Sequence, residues 1–404
     1  MPCSFAFVSV AAADSTDTAR DNADFVCTGV NDETVVQSAI DLASETHRGV
    51  YLYDGTYRID SLANRSDNGP RAALVFPHNF SESSLVGQSF AYGRNSGVRL
   101  YVTPDALSDI GDDEVDVIRT EWCDRGIGSG SALRIENIAI HISDNTHAVR
   151  AIDLRRCDRP ELKNVYLNAY RDMQAGLGTP PPIAKKGCIG LTMTDGSNAS
   201  YSSYENVLAS GFYEGIQVGG EHVLMLNCGT IMNYYGFTFG NYDTHCGSNH
   251  PITLIQCYDE RNVNLPFFAD CGDDDGKGGR LHGGQEVSFI SFNIERIAHQ
   301  TPGGVLGDLM REVVPGRFCG KIDFTAQPDW CHTNDPAFKL WASDGSGSGF
   351  TTRNMLHKNV ATTKERLSYY PNIGQQIYDT DLGKMLVCVD ADTATWVDMM
   401  GNPC

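Results

Sequence analysis

Two Glu-Arg pairs fall at matching places in the chain. Leu254-Ile-Gln-Cys-Tyr-Asp-Glu-Arg261 aligns without gaps with Phe289-Ile-Ser-Phe-Asn-Ile-Glu-Arg296. If the two segments are adjacent strands, Glu260 lies over Glu295 and Arg261 over Arg296. Two guanidinium forks on one wall suit a carboxylate or sulfate, which they grip bidentately. A ladder of ion pairs, each Glu neutralising the neighbouring Arg, explains the same residues slightly better, because structural networks imitate sites. Just upstream, Tyr234, Tyr235 and the run Asn241-Tyr-Asp-Thr-His-Cys-Gly-Ser-Asn-His250 gather aromatic, amide and titratable groups. Aromatic faces beside hydroxyls and amides are what a sugar ring needs. Tyr234, Tyr235, His245 and Asn249 are the candidate binding residues. His250 is the candidate base, and Tyr242 or Tyr258 the hydroxyl that would protonate a leaving oxygen. A solvated loop is the commoner fate of any one such histidine. Asp259, Glu260 and Glu295 offer a different chemistry, the carboxylate pair of a glycoside hydrolase, whose separation decides inversion or retention.

Other patterns carry less. Asp273, Asp274 and Asp275 invite a calcium reading, since hard cations take several oxygens from flexible loops. Their spacing matches no defined calcium loop, so a solvated charge run is preferred and no cofactor is required. Gly126-Ile-Gly-Ser-Gly130 lacks the Lys-Ser/Thr of a phosphate loop, and no Gly-x-Ser-x-Gly elbow comes with a hydrolase pattern. The 13 cysteines have neither CxxC spacing nor the setting of a small disulfide scaffold. Cys228 and Cys257, at matching places in Leu226-Asn-Cys228 and Ile255-Gln-Cys257, read as stacked core residues.

These groups need a repeating frame, and the chain has one. Arg134-Ile-Glu-Asn-Ile-Ala-Ile140 returns as Glu161-Leu-Lys-Asn-Val-Tyr-Leu167 and as Ser203-Tyr-Glu-Asn-Val-Leu-Ala209. Between them lie Ala151-Ile-Asp-Leu154, Gly190-Leu-Thr-Met193, Gly215-Ile-Gln-Val218 and Gly236-Phe-Thr-Phe239. Alternate apolar residues put one strand face into a core, and a loose period of roughly twenty residues or more predicts coils stacking on coils. The repeated Asn belongs at one bend, where stacked amides satisfy each other. The expected fold is all-β, a right-handed parallel β-helix. With 41 Gly and only 20% charged residues, the composition suits such a turn-rich protein. A net charge of -20 argues against a nucleic-acid partner and fits an extracellular, secreted or virion-associated protein. No run is long enough to span a membrane. Phe5–Ala13 is read as the first strand, since no basic residues precede it as in an export signal.

The ends are more specific. Asp32 is placed to cap a helix whose apolar face is Val35, Val36, Ala39, Ile40 and Ala43. Gly49-Val-Tyr-Leu-Tyr-Asp-Gly-Thr-Tyr-Arg-Ile59 follows, as two strands about an Asp-Gly turn. Pro180–Pro182 and Gly272–Gly284 are expected to be projecting loops, Val305–Val314 a short helix and Gly316–Phe324 a strand. The helix and the run after it resemble the N-terminal entry of pectin-lyase-like β-helix proteins, in which a helix plugs the open end. The run Arg366–Cys388 with Thr395-Trp-Val-Asp398 carries G-Q-x-(Y/F)-D-T-x-L-G-K and then W-V-D. It resembles a C-terminal module of phage tail proteins and related bacterial β-helix proteins. The chain is expected to divide into 1–60, the entry strand, capping helix and first coil; 61–365, the β-helix; and 366–404, a small β module.

The resemblance implies a polysaccharide lyase or phage depolymerase acting on a uronic-acid-containing glycan, without choosing pectin, a glycosaminoglycan or alginate. On that reading Arg261 and Arg296 neutralise the uronate, His250 takes the C5 proton, and Tyr242 or Tyr258 protonates the departing oxygen. The tail resemblance further implies a homotrimer. Two alternatives stand beside it: a hydrolase using Asp259, Glu260 or Glu295, and a non-catalytic glycan-binding structural protein.

Overall fold

The computed structural model describes residues 7–63, 69–77, 82–90, 97–122, 132–169, 183–193, 202–220, 222–239, 251–260, 262, 265–269, 285–295, 310–312, 318–326, 351–352, 360–366, 376–390, 393 and 395–404. Parallel strands stack in register along the whole middle of the chain, and the fold is a right-handed parallel β-helix. One core row runs Val8, Val50, Leu85, Ile135, Leu162, Tyr204, Met225, Leu254 and Phe289, each residue paired with the next. Wherever side chains along this row are described they are buried. Each such side chain is worth about 1.5–3 kcal/mol of burial, and only a neighbouring coil can supply it.

Each coil has three walls. The first and second are halves of one 16-stranded sheet, separated by a sharp bend; the third is an 8-stranded sheet. The bend is the position of the repeated asparagine. Asn137, Asn164, Asn206 and Asn227 all adopt left-handed backbone, with φ from 51° to 57°. Asn164 Nδ2 donates to Asn137 Oδ1 at 2.9 Å, Asn206 to Asn164 at 2.9 Å and Asn227 to Asn206 at 2.6 Å. Asn tolerates this backbone better than other side-chain-bearing residues, and its amide both donates and accepts, so one residue type meets both demands.

The third wall explains the small-apolar-x-apolar runs. Register skips the small residue, pairing Arg150 with Ile189 and then Ile152 with Leu191. Two successive residues therefore face the core, and the first has no room. A Cβ on Gly190 would meet the Gly215 carbonyl oxygen at 2.4 Å, and one on Gly215 would meet that of Gly236 at 2.8 Å. The polar residue of each run, Asp153, Thr192, Gln217 or Thr238, points the other way and stacks with its counterpart.

The N-terminal end is closed as expected, with two differences. Phe7–Ala11 is the first strand, paired with Gly49–Leu52, and the helix Asp32–Glu45 buries Val36, Ala39, Ile40 and Ala43 against the core. Val75 N donates to Gln37 Oε1, and Gln37 Nε2 donates to Val75 O, so the helix mimics a strand along the third wall's first edge. Asp32 does not cap the helix. Asn31 holds the cap position in left-handed backbone, while the buried Asp32 carboxylate accepts from Gly29 N and Arg58 N. Gly49–Leu52 and Gly55–Ile59 do not form a hairpin either. They are successive walls of one coil, each pairing in parallel with the next coil.

Further on, Met310–Glu312 is a strand of the third wall, not part of a helix. Phe318–Ala326 is a strand, as expected. The expected loops at 180–182 and 272–284 lie outside the described residues, and so does the Asp273–Asp275 run. Cys228 and Cys257 are buried free thiols that donate into core carbonyls. No described helix is long and apolar enough to cross a membrane.

Near the C-terminus a separate sheet joins Val360–Ala361, Gln376–Asp379, Lys384–Asp390 and Thr395–Asp398, the last three antiparallel. Its motif residues are turn staples. Asp379 accepts from Asp381 N, Leu382 N, Thr363 Oγ1 and Arg366 Nε. Asp398 accepts from Met400 N and Asn402 N.

Candidate functional site

The outer face of the third wall carries two different groups of polar side chains. In its early coils the pairs Asp116–Arg150 and Arg119–Asp153 lie side by side on neighbouring strands, and all four residues are buried. Arg150 Nε donates to Asp116 Oδ1 at 2.6 Å, and its Nη1 reaches Glu114 Oε2 at 2.8 Å. Arg155 grips Asp153 with Nε and Nη2 at 3.0 and 2.8 Å. Burial, reinforced by the Asp153 charge, pushes the Asp116 carboxyl up to about 7 despite Arg150. Burial opposes ionisation of Asp153 too, but Arg155 and Arg150 outweigh it and hold its pKa below the usual value. Trp122 completes this end, with the Arg155 and Arg156 guanidinium carbons 5.1 and 4.9 Å from its ring centroid.

Farther along, the same face carries amides, hydroxyls and tyrosines. Thr192 Oγ1 donates to Gln217 Oε1 at 2.9 Å, and Gln217 Nε2 donates to Glu214 Oε2 at 2.9 Å. Thr238 Oγ1 donates to the same oxygen at 2.8 Å. Beside Glu214, Tyr213 and Tyr234 stack at 4.9 Å with their planes 17° apart. Tyr235 stands edge-on to both, at 5.6 and 4.7 Å. All three are half-buried. Burial raises the Tyr213 pKa, with Tyr234 and Glu214 adding to the effect.

A second amide ladder sets this shelf. The corner between the second and third walls is pinned by Asn233, whose Oδ1 accepts from Phe212 N at 2.9 Å and whose Nδ2 donates to Ala209 O at 3.1 Å. Asn233 N in turn donates to Asn262 Oδ1 at 2.7 Å. Tyr234 N and Tyr235 N then donate to the Phe212 and Tyr213 carbonyls, which fixes the spacing of the stacked rings.

The anticipated residues distribute unevenly. Tyr234 and Tyr235 form the shelf with Tyr213. Glu260 pairs in register with Glu295, as the Glu-Arg alignment requires, and lies at the end of the second wall leading into the same corner. Tyr258 lies on the outer face of that wall, where its ring covers Gly229 and packs beside Tyr166, Leu208 and Ile231. Asp259 points inward. It is fully buried and accepts from Thr230 Oγ1 at 2.9 Å and from Asn262 Nδ2, so it serves the corner rather than a substrate. Tyr242, His245, Asn249, His250, Arg261 and Arg296 lie outside the described residues.

Tyr213, Glu214 and Gln217 were not among the anticipated residues, yet the sequence carries a signal for them. Phe212-Tyr-Glu-Gly-Ile-Gln-Val218 aligns with Asn233-Tyr-Tyr-Gly-Phe-Thr-Phe239, and extending the repeat by three residues brings out the paired tyrosines.

No family model and no curated protein matches the chain. Among solved structures it is similar to the Gp54 tailspike of Acinetobacter baumannii bacteriophage AP22, solved in complex with A. baumannii capsular saccharide. Identity there is 10% over 79% of this chain and 76% of that one, with a TM-score of 0.21. It is also similar to tailspike protein 3 of bacteriophage CBA120, at 11% identity over 91% of this chain and 67% of that one, with a TM-score of 0.15. Scores this low carry no argument; the fold rests on the strand ladders.

Proposed function

We propose that this chain binds an acidic polysaccharide along the corner between its second and third walls and cleaves it by β-elimination. The supporting observation is the tyrosine shelf: stacked Tyr213 and Tyr234 with Tyr235 edge-on, next to a carboxylate oriented by Gln217 and Thr238. Stacked rings bordered by hydroxyls and amides suit the C–H face and hydroxyls of a sugar.

In the elimination, Arg261 and Arg296 neutralise the uronate carboxylate, which lowers the cost of charge developing at C5. His250 removes the C5 proton, the electron pair forms the C4–C5 double bond, and the C4–O bond breaks. Tyr242 or Tyr258 protonates the departing oxygen. An extracellular or virion-associated setting and a homotrimer belong to the same proposal.

One observation favours a second reading. Glu260 and Glu295 are register partners on adjacent strands, which lie about 4.8 Å apart. A retaining glycoside hydrolase holds its carboxyl groups about 5–5.5 Å apart. The test is digestion of a panel of uronate polymers, followed by ultraviolet absorbance and reducing ends together. The lyase reading expects one unsaturated, absorbing end for each reducing end. Reducing ends without absorbance support the hydrolase, and binding without shortening supports a recognition protein.

A further inference from the structure

The tyrosine shelf stands next to a carboxylate. Glu214 lies between Ile189 and Tyr235 in one outer row of the third wall, and Leu265 follows Tyr235. The row beside it reads Thr192, Gln217 and Thr238, and neither stretch holds a Lys, Arg or His. Gln217 Nε2 and Thr238 Oγ1 both donate to Glu214 Oε2, at 2.9 and 2.8 Å, which favours the ionised carboxylate. At 9% exposure its charge is little screened by salt and water, so it reaches farther than a surface charge. Its effect is felt at Tyr213, whose pKa is raised first by burial, then by Tyr234 and then by Glu214. Nearby cations do not offset it. On the earlier coils Arg119, Arg150 and Arg155 are matched by Glu114, Asp116 and Asp153. At the corner one coil before the shelf, Lys185 pairs with Asp112 at 2.6 Å, and Lys186 is exposed, where water screens it.

We infer, on the glycan reading above, that the sugar seated on the tyrosine shelf is uncharged. The polymer then intersperses uncharged sugars with its uronates and is not a chain of uronate alone. A carboxylate only accepts hydrogen bonds, so a sugar beside Glu214 has to bring hydroxyl or acetamido N–H donors. A uronate there would meet a like charge across a poorly screened path, and such repulsion is how a site rejects a wrong partner. The uronate has its place farther along. Glu260 and Glu295, which directly precede Arg261 and Arg296 in the sequence, lie on the two coils after that of Tyr234. Coils are about 4.8 Å apart, so a polymer running along the solenoid sets different sugars against the shelf and against those coils.

The test is titration of the full chain and of Glu214→Gln with two probes: polygalacturonate, and an unsulfated polymer that alternates glucuronate with N-acetylhexosamine. Wild type is expected to bind the alternating polymer at least about tenfold more tightly. Glu214→Gln keeps the shape of the side chain and removes its charge. It is expected to narrow that ratio at least about threefold by tightening polygalacturonate. Equal affinities in wild type, a preference for polygalacturonate, or a ratio that the variant leaves unchanged overturns the inference while the glycan reading stands. A protein that binds neither polymer overturns the glycan reading and this inference with it. Should Glu214→Gln fail to fold, wild type decides alone with partly carboxyl-reduced polygalacturonate. Tighter binding than to the unreduced polymer supports the inference, and equal or weaker binding overturns it.

Discussion

The early and late coils of the third wall share strands, register and corner geometry, yet their outer faces hold opposite kinds of group. Early on, Asp116, Arg150, Asp153 and Arg155 close an ionic network from which solvent is excluded. Later, Thr192, Gln217, Glu214 and Thr238 form a chain of single hydrogen bonds next to half-buried tyrosines. A guanidinium already gripped by a buried carboxylate has little left to offer a substrate, whereas a half-buried tyrosine has. The charged end thus reads as structure and the aromatic end as recognition.

The largest expected effect breaks the charged end. Arg150→Met leaves Asp116 buried without its closest cation and should cost about 3–5 kcal/mol in denaturant unfolding. Glycan affinity of the protein that remains folded should not change. Next comes the frame that both ends share. Asn164→Ala puts a residue that tolerates left-handed backbone less well at φ 52° and breaks the amide ladder on both sides, for about 2–3 kcal/mol. Asn164→Gly restores the backbone freedom but not the amides, so its loss should be about half as large.

At the aromatic end, Tyr213→Ala should weaken glycan binding roughly tenfold, about 1.4 kcal/mol, with a small change in thermal midpoint. The smallest effect is a slope. Asp116 has a folded pKa of about 7, above the carboxylate's usual value of 3.8. Its contribution to stability is therefore full below about 4 and is lost as pH rises through 7. Unfolding free energy measured from pH 4 to 8 should fall less steeply in Asp116→Asn than in wild type.

What could be read from the sequence follows how local each signal is. The asparagine ladder was legible because one residue type, at one place in each repeat, satisfies both the backbone and its neighbours. Glu260 over Glu295 was legible because the two segments align without gaps. Asp32 looked like a helix cap by position, but its carboxylate is captured by the Gly29 and Arg58 amides, the latter from another wall of the coil. The charged end of the third wall could not be found that way. Asp116 and Arg150 are 34 residues apart and belong to no repeated motif, so only the fold shows that they meet. The shelf lay between these cases: Tyr234 and Tyr235 stood out as a pair, while Tyr213 became meaningful only once Gly215 and Gly236 were seen to be stacked.

The central claim is that recognition sits on the tyrosine shelf and not on the charged network. Titration of an oligosaccharide of the cleaved polymer into Tyr213→Ala/Tyr234→Ala, with the thermal midpoint recorded on the same sample, tests it most directly. The account predicts at least a tenfold loss of affinity, about 1.4 kcal/mol or more, with the fold intact. Unchanged affinity in a folded double variant would contradict it.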